Sequence, residues 1–222
     1  RSFNLDLMHG LPGQDTASAR NDLRLACASR APHISWYQLT IEPNTEFFKR
    51  PPTLPAELVL ANIQDQGESL LASAHYTPYE VSAYAQSGQQ CQHNLNYWRF
   101  GDYLGIGAGA HAKLSAADGS VRRFAKRRQP DQYLGANRDG FIATRQTLSP
   151  DDLRGEFMLN ALRLHEGFDI GLFETTTGID AVEIAPQLDA LQARGLLEVV
   201  GRQVRASALG RRFLDTVVGE FF

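Results

Sequence analysis

The densest run of chemically capable side chains lies at residues 91–111, CQHNLNYWRFGDYLGIGAGAH. Cys91 and His93 offer soft ligand atoms at strand-like spacing, and His9, His33 and His111 are further nitrogen donors. No spacing among them matches a closed zinc site, which needs four ligands in recognisable pairs. A single axial histidine to a heme iron needs no such pairing. His93 is followed by Asn94, Tyr97, Trp98 and Phe100, which sets one ligand atom beside an aromatic surface suited to a flat macrocycle. The plainer alternative is a core histidine packed among core aromatics, and at this level both stay open.

A basic run, Arg122, Arg123, Lys126, Arg127 and Arg128, follows. It reads either as a solvated hairpin edge protected from aggregation by charge or as a guanidinium site for ligand carboxylates, which arginine binds bidentately.

Elements of alternating type must carry these groups. Residues 2–8 alternate as a strand, with Phe3, Leu5 and Leu7 on one face and Asn4 and Asp6 on the other. A Gly10-Leu11-Pro12-Gly13 turn precedes Asp15 at a helix N-cap, and Ala19, Leu23 and Cys27 repeat at helical spacing. A second strand is expected at 33–41, a proline-rich linker through Pro51, Pro52 and Pro55, and a helix carrying Val59, Ile63, Leu70 and Ala74. A third strand is expected at 79–84. Strand–helix–strand repetition implies a parallel sheet with helical crossovers. Each strand shows a polar face: Asn4 and Asp6, then Gln38 and Thr40, then Glu80, Ser82 and Tyr84. In a barrel of β/α units, Asp6, Thr40 and Tyr84 would sit at the strands' C-terminal ends, where ligands bind.

The alternation stops after residue 85. A short helix is expected at 94–100, followed by Gly101, Gly105, Gly107 and Gly109, where the backbone needs close approach or positive φ. A hairpin turns about Asp118-Gly119 between 113–115 and 121–125. From Ser149-Pro150-Asp151-Asp152, a strong helix start, the chain reads as helices plus a two-stranded wing about Gly201. Leu153, Phe157, Ala161 and Leu164 stripe the first helix, and Ile184, Leu188 and Leu191 a later one that stops at Gly195. Ser207 would cap a last helix through Leu209, Phe213, Val217 and Phe221. The expected organisation is therefore 1–90, 91–148 and 149–222.

Bulk properties exclude several functions. The 222 residues carry a net charge of -3, which gives no general attraction to nucleic acid or anionic membrane. The winged-helix-like stretch 149–222 holds seven Arg against twelve Asp or Glu, the wrong sign for a phosphate binder. Two cysteines are no disulfide framework. No apolar run reaches 18 residues, so no integral membrane segment is expected, and no leader is evident. A cytoplasmic protein follows as the expectation. The chain opens on Arg1 directly in a strand pattern, which reads as part of a longer protein.

Several of these motifs carry a family resemblance. Asp6-Leu7-Met8-His9-Gly10-Leu11-Pro12 resembles the fifth-strand motif of the oxygen-independent coproporphyrinogen III oxidase and HemW group of radical SAM proteins. The segments YQLTIEPNT from Tyr37, YEVSAYA from Tyr79 and HNLNYW from His93 look like the HemW branch, and GIGAGAH from Gly105 matches its glycine-rich motif. The resemblance implies an α/β fold: the second half of a partial (β/α)6 radical SAM barrel, then a winged-helix-like α+β C-terminal module. It implies S-adenosylmethionine and a [4Fe–4S] cluster in the full-length protein, the cluster on a C-x3-C-x2-C motif that this chain lacks. Cys27 and Cys91, sixty-four positions apart, cannot replace it. This stretch alone is thus not expected to perform radical chemistry. By resemblance, Asp6 accepts hydrogen bonds from the ribose hydroxyls, Met8 lines the adenine pocket, Thr40 lies near it, and His93 ligates heme iron beside Tyr97 and Trp98. Arg122 and Arg123 would take the propionates. One departure is Ala112, where the family pattern leads us to expect glycine or serine.

Two functions follow as expectations. The first is a heme chaperone that delivers heme to cytoplasmic or membrane-attached acceptor proteins, itself cytoplasmic or peripheral at the membrane, with a homodimer as an open possibility. The alternative is anaerobic oxidative decarboxylation of coproporphyrinogen III to protoporphyrinogen IX. The His-Asn-x-x-Tyr-Trp motif favours the first, because a porphyrinogen has no iron to ligate.

Overall fold

A computed structural model describes residues 2–137 and 140–222. The chain divides into two compact units, Arg1–Cys91 and Gln92–Phe222.

The first unit comprises β1 (Asn4–His9), α1 (Thr16–Ala28), β2 (His33–Gln38), α2 (Glu46–Lys49), α3 (Glu57–Ser73), β3 (Thr77–Glu80) and β4 (Ala83–Ala85). Asp15 caps α1 as expected, accepting from the Ser18 amide in a capping box. Strands β1 and β2 pair in parallel, as a helical crossover requires. The expected third strand is instead a hairpin. The chain reverses at Val81-Ser82, and β4 inserts antiparallel between β2 and β3, giving the order β1-β2-β4-β3. The reversal is held by one local and one distant hydrogen bond: the Ser82 amide donates to Glu80 Oε1 (3.1 Å) and the Ser82 carbonyl accepts from the Trp36 amide (2.8 Å). Among the described residues this sheet is open, with no closed barrel.

Helices α1 and α3 cover one sheet face. Ala19, Leu23, Ile34, Trp36, Ile63, Leu71 and Tyr84 form that core, and each large aliphatic buried there stabilises by about 1.5–3 kcal/mol. The Trp36 ring lies directly over α3 because Gly67 makes room. A Cβ there would stand 1.9 Å from the indole.

The second unit begins with α4 (Gln92–Trp98) and a three-stranded antiparallel sheet, β5 (His111–Ser115), β6 (Val121–Lys126) and β7 (Ile142–Thr147), with α5 (Pro130–Leu134) between the last two. The hairpin about Asp118-Gly119 is present, with Gly119 at φ +82°; β7 was not foreseen, because 142–147 (IATRQT) is largely exposed and carries no core pattern. Then follow α6 (Pro150–Ala161), β8 (Phe168–Asp169), α7 (Ile170–Thr177), α8 (Ala185–Ala193), β9 (Leu197–Val200), β10 (Gln203–Ala206), α9 (Ala208–Arg212) and α10 (Leu214–Gly219). The wing is a sheet of order β8-β10-β9.

The expected final helix is broken at Phe213, whose backbone leaves helical geometry at φ -121°. Leu209 and Phe213 are exposed, while Val217 and Phe221 are buried. The break lets Gly210 sit on the Leu196 carbonyl, where a Cβ would come within 1.9 Å. Phe100, Val121 and Leu148 share one core with Phe157, Phe173 and Leu191, so residues 92–148 and 149–222 pack around a common centre.

Candidate functional site: a polar sheet face and an aromatic stack

In the first unit, the sheet face opposite the helices is polar. Strand register places Asn4 beside His33, Asp6 beside Ser35 and Met8 beside Tyr37, so these six side chains share one face. The alternation of β1 is as expected. That of β2 is offset by one: Gln38 pairs with His9 on the helix-covered side, and the polar face of β2 is His33, Ser35 and Tyr37. Tyr84 also belongs to the helix-covered core. It is buried, its hydroxyl near Gln64 Nε2 at 3.4 Å, and burial raises its pKa. The reason is physical: Trp36 and Tyr84 are the large side chains of their strands, and the helix side is the side that removes them from water. Asp6 is mid-strand rather than terminal. Thr40 is exposed two residues past β2, its hydroxyl directed at the Gln38 carbonyl at 3.5 Å.

A hydrogen-bonded chain runs across this face. The Asn4 amide nitrogen donates to Asp6 Oδ1 (2.8 Å) and lies 3.1 Å from Ser35 Oγ. Asn4 Oδ1 is 2.6 Å from His33 Nδ1, and His33 Nε2 is 2.8 Å from the Tyr79 hydroxyl. His33 and Tyr79 are buried; Asn4 and Asp6 are exposed. Burial lowers the His33 pKa, partly opposed by Asp6. Sequence reasoning placed Asn4 and Asp6 but missed Tyr79 as their distant support, since only the four-strand order β1-β2-β4-β3 brings them together.

In the second unit, α4 sets His93 and Tyr97 one turn apart on one face. Their rings meet edge to face at 4.8 Å, and Tyr97 in turn packs on Tyr103 at 4.5 Å. His93 is exposed and makes no hydrogen bond among the described residues. Trp98 does not join this stack. Its half-buried ring lies under the Arg163 guanidinium at 4.4 Å, and its Nε1 is buried without a hydrogen-bond partner.

The arginine pair is divided. Adjacent strand residues point to opposite faces: Arg123 sits with Lys113 and Gln146, Arg122 with Leu114 and Thr147. Arg123 donates to Glu156 from Nε (2.8 Å) and from Nη2, and to the Tyr103 hydroxyl from Nη1. Arg122 is exposed, 3.6 Å from Asp118. The two therefore do not form one clamp. The glycine run does what its spacing requires, by two routes: Gly107 and Gly109 take positive φ, whereas a Cβ at Gly105 would stand 2.1 Å from the His111 carbonyl. Ala112, the departure in the motif, is accommodated as a buried residue of β5. No group of three or more His, Cys, Asp or Glu able to hold a metal occurs among the described residues.

Residues 148–213 match the sequence model of the HemN C-terminal domain. The heme chaperone HemW of Escherichia coli (strain K12) is 46% identical over 221 residues, covering 100% of this chain and 58% of that protein. HemW of Haemophilus influenzae is 49% identical over 199 residues, covering 89% of this chain and 51% of the relative. Residues 148–213 thus carry the HemN C-terminal domain, and the chain along its whole length is similar to the HemW proteins. It spans little more than half the length of these relatives. The solved structure of coproporphyrinogen III oxidase HemN from Escherichia coli, a radical SAM enzyme, shares the fold with a TM-score of 0.76 at 18% identity, over 99% of this chain and 54% of that one. The architecture is thus the C-terminal part of the HemN fold. The polar sheet face fits an adenosyl ligand, since Asp6 offers an exposed carboxylate beside the apolar Met8–Tyr37 pair. The residues present do not fit an iron–sulfur cluster: Cys27 is in α1, Cys91 follows the sheet, and neither has a metal-binding group about it. No helix among the described residues is long and apolar enough to cross a membrane.

Proposed function

We propose that this protein is a heme-binding radical SAM protein that acts as a heme chaperone, handing heme to acceptor proteins in the cytoplasm or at the membrane surface. The observation that carries this reading is the identity to HemW chaperones, 46–49% across nearly all of this chain, including the His93 segment. The stack supplies the chemistry: His93 is exposed and free to ligate iron, and Tyr97 beside it offers a ring edge to a flat ligand. Trp98 packs with Arg163 and is not a second face of this platform. In this reading Asp6 binds the ribose hydroxyls of S-adenosylmethionine, Met8 and Tyr37 border the adenine, and Thr40 lies at the rim. S-adenosylmethionine with a cluster supplies radical chemistry when both are bound in this family; the residues of this chain bind and orient the nucleoside. Propionate binding by Arg122 and Arg123 together is not retained, because they lie on opposite sheet faces.

Titrating the intact protein with hemin tests the reading. A Soret shift that His93→Ala abolishes is expected, and an unchanged spectrum in that variant would overturn the ligand assignment. The oxidase alternative rests on fold likeness to HemN at 18% identity, and carbon dioxide release from coproporphyrinogen under anaerobic conditions would favour it.

A further inference from the structure

The hydrogen-bond chain on the polar sheet face has a fixed direction. A carboxylate only accepts, so the Asn4 amide must turn its nitrogen toward Asp6 and its oxygen toward His33. That oxygen only accepts, so His33 carries its proton on Nδ1. Nε2 is then unprotonated and accepts from the Tyr79 hydroxyl. The chain therefore reads Tyr79 O–H to His33, His33 N–H to Asn4, Asn4 N–H to Asp6. It begins at two buried side chains and ends on an exposed carboxylate.

Such an arrangement does more than satisfy a core. A buried histidine and tyrosine on a sheet face are costly to desolvate, and the hydrogen bond they share continues through Asn4 to Asp6 rather than ending in the core. Asp6 Oδ1 is held by Asn4, whereas Oδ2 has no hydrogen-bond partner among the described residues. We infer that Asn4 and His33 are positioning residues that orient the Asp6 carboxylate for a ligand's vicinal hydroxyls, with Tyr79 as the buried anchor. The inference rests on the proposed role of Asp6 as the ribose acceptor and assigns what holds that acceptor in place. Pre-orienting one oxygen leaves the other to accept, which is how supporting hydrogen bonds sharpen recognition of polar ligands.

Calorimetry on the intact protein tests this with S-adenosylmethionine and its analogue lacking both ribose hydroxyls. The readout is the ratio of the two affinities, which a general loss of stability does not move. Asp6→Ala is expected to abolish the preference for the hydroxylated ligand. His33→Phe and Asn4→Leu should narrow it by about five- to ten-fold, the scale of one weakened charge-assisted hydrogen bond, with affinity for the analogue unchanged. His33→Asn should largely restore it, because its amide nitrogen takes the place of Nδ1. If Asp6→Ala abolishes the preference while His33→Phe and Asn4→Leu keep it, the positioning role is wrong and the ribose site stands. If Asp6→Ala itself keeps the preference, the ribose assignment falls and the inference with it. Should His33→Phe fail to fold, Asn4→Leu at the exposed end of the chain decides alone.

Discussion

Lys113 Nζ lies 3.1 Å from Asp102 Oδ1, in a lysine side chain that is 2% exposed. The ammonium also sits 4.2 Å above the Phe100 ring, and Asp102 accepts further bonds from the Ser115 amide (2.8 Å) and hydroxyl (2.9 Å). This pair ties the chain that follows α4 to β5, just where the Tyr103–Lys113 bridge joins the glycine run to the sheet. Burial lowers the Lys113 pKa and Asp102 opposes that. For Asp102 burial acts upward, but the Ser115 and Lys113 hydrogen bonds outweigh it and hold the carboxyl below its usual range.

Asp102→Asn should therefore destabilise the second unit by about 2–3 kcal/mol, because it strands a buried ammonium; the figure is below that for a fully buried pair since Asp102 is 40% exposed. Lys113→Met, which keeps the stem and removes the charge, should cost less. Hydrogen exchange of the β5 and β6 amides in denaturant measures both. The Asp102 contribution is present above its unfolded pKa and disappears as pH falls through the lower folded one. A difference between wild type and Asp102→Asn that persists unchanged at pH 2 would contradict this.

The two neighbouring arginines should behave differently. Arg123→Ala breaks a half-buried pair with Glu156 and removes the Tyr103 hydroxyl's partner, so a loss of about 1–3 kcal/mol is expected. Arg122→Ala removes only an exposed contact with Asp118 and should stay within about 0.5 kcal/mol. Thermal melts of both variants settle the order. Because Tyr103 supports Tyr97, Arg123→Ala should also broaden the Soret band of the hemin complex, and Arg122→Ala should not.

The first unit should be acid-sensitive through His9. Its ring is buried against Trp36 at 4.2 Å, Nδ1 has no hydrogen-bond partner, and burial holds its pKa at about 4. The unfolded chain takes up a proton near pH 6.5 and the folded one resists it. Stability is thus lost as pH falls from about 6.5 to about 4, by about 3 kcal/mol when complete. His9→Phe should flatten this limb in urea denaturation followed at Trp36. An equal pH dependence in the variant would show that another group carries it.

Much of this was legible from residue order. Asp15 and Ser149 cap the helices expected of them because capping is a local matter of three or four residues. The stripe Leu153, Phe157, Ala161 and Leu164 is wholly buried, as its spacing requires. The Gly105–Gly109 run needed glycine for the two reasons its spacing suggested. Strand parity in β2 was not legible: its segment carries apolar or aromatic groups at both parities, and only the helix packing over Trp36 decides which face is covered. The reversal at Val81-Ser82 escaped notice because its strongest hydrogen bond goes to Trp36, 46 residues earlier.

The sequence by itself determined that helices begin after Asp15 and Ser149, that the Gly105–Gly109 run calls for glycine, and that Asp6 and His93 stand in motifs of one family. Those properties depend on neighbours a few positions apart, or on residue identity alone. Only the tertiary structure decided that Asp6 ends a chain starting at Tyr79, that Trp98 leaves the His93–Tyr97 stack, and that Arg122 and Arg123 face apart. Each is a matter of register or of packing between distant segments, and burial of the largest side chains, not local order, sets both.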